Sequence, residues 1–129
     1  MFNKVDYIMV NVSDMGRSVA FYRNVLGLSL KFESPGWSEF VTGATTLALH
    51  HVGTGANESR GMEKPAAGTC SIGFSVQDLD AIHKELSKRG AKFVMPPTVQ
   101  AEEGIKIAVC LDPDGLGISF AEVIARENR

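Results

Sequence analysis

Sulfur is scarce in this chain, and long apolar stretches are missing altogether. Only Cys70 and Cys110 occur among 129 residues, each alone within an apolar strand pattern and without a close-spaced partner. A disulfide framework and a zinc knuckle are therefore not expected, and both residues read as buried, reduced thiols. No apolar run approaches bilayer-spanning length, and Met1-Phe2-Asn3-Lys4 lacks a signal-peptide core, so the cytoplasm is the expected location and no membrane partner is expected. An excess of one charge is missing too. Thirteen Lys and Arg stand against 15 Asp and Glu, a net charge of −2, interspersed and without the basic stripe that neutralises phosphates. Nucleic acid is not an expected partner.

What remains is a chain of a size for one core and one domain. Residues Val5 to Val12 alternate, with Tyr7, Met9 and Asn11 on one face and Ile8, Val10 and Val12 on the other, which predicts a strand. Ser13-Asp14 opens a helix whose apolar face is Met15, Val19, Tyr22 and Leu26, and Gly27 stands where a left-handed cap belongs. Leu28 to Glu33, Trp37 to Val41 and Thr45 to Val52 read as three strands, with a turn at Pro35-Gly36. The order is βαβββ.

Residues 53–68, rich in Gly, Ala and polar side chains, are a connector between modules of about residues 1–52 and 69–125. Beyond it the plan restarts. Thr69 to Val76 alternates, placing Ser71, Gly73 and Ser75 opposite Cys70, Ile72, Phe74 and Val76. Val76-x-Asp78-Leu79 echoes Val12-x-Asp14-Met15 at an offset of 64, Leu79, Ile82 and Leu86 form a helical face, and Gly90 matches Gly27. Ala91 to Met95, Ile105 to Leu111 and Ile118 to Val123 are three further strands. Pro96-Pro97 and an acidic loop at Glu102 and Glu103 separate the first two, and the tight turn Asp112-Pro113-Asp114-Gly115 feeds the last.

The expected fold is therefore α+β: two βαβββ modules with helices on one face of a curled, partly open mixed sheet, leaving the other face as a cup. Period-two alternation puts Tyr7, Met9, Asn11, Ala48, His50, Ser71, Gly73, Ser75, Ser119 and Ala121 on the cup side. Trp37 and Glu39 are placed there in preference to Ser38 and Phe40.

Val12-Ser13-Asp14, the run Ser18-Val19-Ala20-Phe21-Tyr22-Arg23-Asn24-Val25-Leu26-Gly27-Leu28, and the Asp112-Pro113-Asp114-Gly115 turn resemble the vicinal oxygen chelate superfamily. That group includes glyoxalase I, bleomycin-resistance and fosfomycin-resistance proteins and extradiol dioxygenases, and the resemblance spans essentially the whole chain. It implies the fold and does not select a function. In metal-dependent members it implies His, Glu or Gln ligands at positions that map onto Tyr7, Ala48, Ser71 and Ser119. Hydroxyls and a methyl cannot replace a divalent ion's hydration shell, so metal-dependent glyoxalase or dioxygenase activity is disfavoured and no metal or cofactor is expected.

His50 and His51 are adjacent on one strand and point to opposite faces, so at most one faces the cup. Tyr7 is either a hydrogen-bonding phenol or a ring filling the space a metal would take. Trp37 suits stacking against a flat ligand, Glu39 pairing with a cationic one, and Ser71 and Ser119 leave room. His83 reads as surface. The leading expectation is a metal-free small-molecule-binding protein that sequesters an aromatic or amphipathic compound. Its ligand-binding residues would be Tyr7, Met9, Asn11, Trp37, Glu39, Ala48, His50, Ser71, Gly73 and Ser119. The alternative is a lyase, isomerase or dioxygenase-type enzyme of the same superfamily, for which His50, Glu39 or Tyr7 could serve as a metal-free acid–base set. The resemblance also implies a homodimer.

Overall fold

The computed structural model describes residues 1, 5–52, 67 and 69–124. The chain divides into two compact units, Met1–Ala56 and Asn57–Arg129. Apart from Ala67, the connector expected over residues 53–68 lies outside the described residues.

In the first unit the strands are β1 (Tyr7–Val12), β2 (Ser29–Phe32), β3 (Trp37–Thr42) and β4 (Thr45–His51). They form a four-stranded sheet in the order β1-β4-β3-β2. β1 runs parallel to β4, and the other pairs are antiparallel. Helix α1 (Met15–Ala20) follows β1 and packs on β3 and β4. Asp14 caps it by accepting from the Arg17 amide at 3.1 Å, satisfying one of the amides a helix start leaves unpaired. The helix then widens into a π turn at Phe21–Val25, where the Leu26 amide donates to Phe21 O at 3.0 Å. This changes the expected helical face. The wider turn lets consecutive Phe21 and Tyr22 both enter the core, while Leu26 is only half-buried. Gly27 ends the segment at φ 81°, a conformation that favours glycine.

The second unit repeats this plan with β5 (Ile72–Ser75), α2 (Leu79–Lys88), β6 (Lys92–Gln100), β7 (Ile105–Leu111) and β8 (Gly117–Val123). Its sheet order is β5-β8-β7-β6, again with the first strand parallel to the last. Asp78 caps α2 through the Ala81 amide at 3.1 Å, the counterpart of Asp14 and Arg17. Two mixed, open sheets with two helices make the chain α+β, two βαβββ modules as the alternation indicates.

Three expectations are corrected here. β6 does not stop at Met95 but runs through Pro96-Pro97. It is an edge strand, and register shifts between Phe93 and Met95 and between Met95 and Thr98 carry the prolines past the ladder, as residues without an amide donor require. Cys110 is fully buried, but Cys70 is exposed, because it precedes the first paired residue of β5. His83 is half-buried rather than purely surface, its ring edge-on to Phe93 at 4.6 Å.

Each core lies between a helix and the inner face of its sheet. Tyr22, Phe40, Leu49 and Val12 are fully buried in the first unit, and Leu79, Ile118 and Cys110 in the second. Burial of each large apolar side chain contributes about 1.5–3 kcal/mol. Ser38 is also buried, its hydroxyl 3.3 Å from Met15 Sδ.

Candidate functional site

The face of the first sheet turned away from α1 carries the polar and aromatic residues. The β1–β4 register sets Tyr7 opposite Thr46, Met9 opposite Ala48 and Asn11 opposite His50. On the other side of β4, Trp37 pairs with His50 and Glu39 with Ala48. Tyr7, Met9, Asn11, Trp37, Glu39, Ala48 and His50 therefore share one face. The choice the alternation posed in β3 is decided by burial: Ser38 and Phe40 are fully buried beneath α1, while Trp37 and Glu39 are half-buried on the opposite side.

Trp37 is the centre of this face. Its Nε1 donates to Glu39 Oε2 at 2.8 Å, its ring meets Tyr7 edge-on with centroids 5.9 Å apart, and the His50 ring lies at 5.9 Å on another side. Tyr7 and Trp37 start from opposite ends of β4, beside Thr46 and His50. Their rings meet only by leaning toward each other across that strand, where the side chain between them is the methyl of Ala48. Ala48 is fully buried, so it forms the floor beneath the rings rather than an open wall.

The polar groups form a short chain. His50 Nδ1 lies 3.3 Å from Asn11 Oδ1. Glu39 also approaches Lys31 Nζ at 3.7 Å, with the Glu39 side chain 22% exposed and that of Lys31 58%. A bulge between Leu30 and Phe32 interrupts the alternation where Lys31 sits. Sequence alternation places these residues on a face, but it contains no signal for Lys31 at the site or for the Asn11–His50 pair. His51 points to the other side of β4 and is exposed, its amide bonded to Gly36 O at 3.1 Å.

Ser71, Gly73 and Ser119 belong to the second unit. Gly73 pairs with Ser119 in the parallel β5–β8 register, just as Met9 pairs with Ala48, which makes Ala48 and Ser119 repeat-related positions. A side-chain carbon on Gly73 would stand 3.1 Å from Ser119 Oγ. That hydroxyl in turn reaches Ile72 O at 3.4 Å. Ser71 is exposed and precedes β5. On the sheet face around Ser119 stand Ile107, Val109 and Ala121.

The donor set does not fit a divalent ion. Among the described residues no group of three or more His, Cys, Asp and Glu side chains could hold a metal. On the first sheet the two strongest donors, Glu39 and His50, are engaged with Trp37, Lys31 and Asn11. The edge-on rings of Tyr7 and Trp37 lean over Ala48, where a metal ligand would have to stand. No helix among the described residues is long and apolar enough to cross a membrane.

The fold has many relatives. A structure of SMU.1112c superposes with a TM-score of 0.80 at 25% identity, covering 95% of this chain and 100% of that one. TnmS3, an antibiotic binding protein from Streptomyces sp. CB03234, superposes with a TM-score of 0.72 at 23% identity, covering 95% and 97%. The uncharacterized protein YraH of Bacillus subtilis (strain 168) is 28% identical over 117 residues, 86% of this chain and 91% of its own. The profile of the glyoxalase/bleomycin resistance protein/dioxygenase superfamily matches residues 4–120, nearly the whole chain. With its paired βαβββ modules, capped helices and Asp-Pro-Asp-Gly turn, the chain belongs to the glyoxalase/bleomycin resistance protein/dioxygenase superfamily.

Proposed function

We propose that this protein binds a small aromatic or amphipathic molecule without a metal or cofactor, sequestering it on the Trp37 face of the first sheet. The observation that carries the reading is the mounting of Trp37: a half-buried indole fixed through its N–H to Glu39 and braced by Tyr7 and His50. A fixed ring loses little rotational freedom when a flat ligand stacks on it, which is how preorganised sites gain affinity. Antibiotic binding by TnmS3, a structural relative, is consistent with such a role. An acyl-transfer role has less support, because among the described residues neither Ser71 nor Ser119 has a base positioned to activate it.

Trp37 is the only tryptophan, so indole emission, excited selectively over tyrosine, reports on this face alone. Titration with proflavine, Nile red and anilinonaphthalene sulfonate, planar probes of positive, neutral and negative charge, is expected to quench it saturably for at least one of them. Trp37→Leu should weaken retention of that probe. Absence of saturable quenching by all three would overturn the reading. So would stoichiometric Zn, Ni, Fe or Mn required for a turnover. The reading includes a cytoplasmic homodimer. β1 is an edge strand on which Ile8 is exposed, with Val5 exposed just before it, a surface that association would cover. Native mass spectrometry of protein taken directly from cells gives subunit number, metal content and retained ligand together.

A further inference from the structure

The charged groups on the Trp37 face are already answered by one another. Among the β1, β3 and β4 residues of that face Glu39 is the one carboxylate, and it takes the indole N–H at 2.8 Å and lies 3.7 Å from Lys31 Nζ. A cationic ligand would have to compete with Lys31 for a carboxylate that already accepts from the indole. An anionic ligand would find only Lys31, a water-exposed ammonium already shared with Glu39, and such pairs are weak and screened. The face is therefore suited to a neutral occupant.

The group left open is on His50. The amide oxygen of Asn11 can only accept, so if the 3.3 Å contact with the imidazole is a hydrogen bond, Nδ1 carries the proton. Nε2 then presents a lone pair. It is an acceptor at the edge of a half-buried ring, beside the indole on which a flat molecule would stack. A ligand that donates there satisfies the imidazole, and one without a donor leaves it desolvated and unpaired.

The geometry points to a neutral, planar aromatic ligand of the hydroxyarene class, bearing an O–H or ring N–H that donates to His50 Nε2 while its ring lies against Trp37. This rests on the binding reading above. Asn11 is the positioning residue, holding the imidazole in the accepting tautomer.

The test uses the full chain labelled with nitrogen-15 in histidine and tryptophan, and two probes, 2-naphthol and its methyl ether, 2-methoxynaphthalene. Expected are imidazole shifts that identify His50 as protonated on Nδ1, and perturbation of the Trp37 indole signal by both probes. 2-Naphthol should bind about five- to tenfold more tightly than the ether, the range one net hydrogen bond supplies. In His50→Phe the ratio of the two affinities should fall to about one. In Asn11→Ala the imidazole shifts should move toward the Nε2-protonated tautomer, and the preference should shrink. Equal binding of the two probes, or an Nε2-protonated His50 in the unsubstituted protein, overturns the ligand class and leaves the binding reading standing. If neither probe perturbs Trp37, both fall.

Discussion

Trp37 Nε1 donates to Glu39 Oε2 at 2.8 Å, two residues apart on the same strand and the same face of the sheet. The bond makes a carboxylate into a mount for an aromatic ring. If acceptance rather than charge matters, Glu39→Gln should change stability by less than about 0.5 kcal/mol. Glu39→Leu, which leaves the indole N–H without its acceptor, should cost about 1 kcal/mol and lower the fluorescence anisotropy of Trp37. Equal losses in the two variants, by chemical denaturation, would show that the charge is what counts.

Asp112 is buried and organises the turn before β8. Its Oδ1 accepts from the Asp114 amide at 2.9 Å and the Leu116 amide at 2.8 Å, and its own amide donates to Leu116 O at 2.9 Å. Asp112→Ala would leave both amides without their side-chain acceptor, at an expected cost of about 3 kcal/mol in urea denaturation. Asp112→Asn keeps an acceptor oxygen and should cost clearly less. A neutral Asp112→Ala would mean that the backbone holds the turn alone.

Burial first, and the Asp112 carboxylate second, push the Cys110 thiol up to about 11 from its model-compound value of 9.0. The unfolded chain then releases this proton first as pH rises. The stability tied to the neutral thiol is whole below pH 9 and is lost as pH climbs toward 11, at about 1.4 kcal/mol per unit. In that window Cys110→Ala should show a shallower fall in unfolding free energy than the unsubstituted protein. Parallel curves would refute the linkage.

The two cysteines should also separate chemically. Native protein treated with iodoacetamide is expected to carry one adduct, on exposed Cys70, with Cys110 modified only in denaturant. Peptide mass mapping reads both sites, and native labelling of Cys110 would contradict its burial.

Metal exchange offers a further check. Incubation with Zn(II), Ni(II) or Mn(II) followed by gel filtration should leave metal well below one equivalent, and a chelator should leave the melting temperature unmoved, since a ligand that favours the native state raises it. A chelator-dependent drop would revive the metal-enzyme alternative.

Much of this was legible in the residues. Strict alternation over Tyr7 to Val12 and Thr45 to His51 assigns a face to each side chain, because successive strand residues point to opposite sides. The repeat of Asp14 at Asp78 and of Gly27 near Gly90 indicates two copies of one module. Other features left no local trace. The π turn at Phe21–Val25 depends on whether two adjacent aromatics can both be buried. The continuation of β6 through Pro96-Pro97 depends on its edge position and its register shifts. Cys70 looked like a strand residue, and only pairing could show that β5 begins after it.

By itself the sequence determined the α+β class, the two modules, the faces of the strands and the poor metal-donor chemistry at Tyr7, Ala48, Ser71 and Ser119. Each follows from local periodicity or from what a side chain can chemically do. The tertiary structure decided that Tyr7 and Trp37 lean together over Ala48, that Glu39 meets both Trp37 and Lys31, and that Asn11 meets the His50 imidazole. Apart from Trp37 and Glu39, neighbours on β3, those relationships join residues on different strands, and only sheet register, a property of paired strands, brings them within a hydrogen bond or a ring contact.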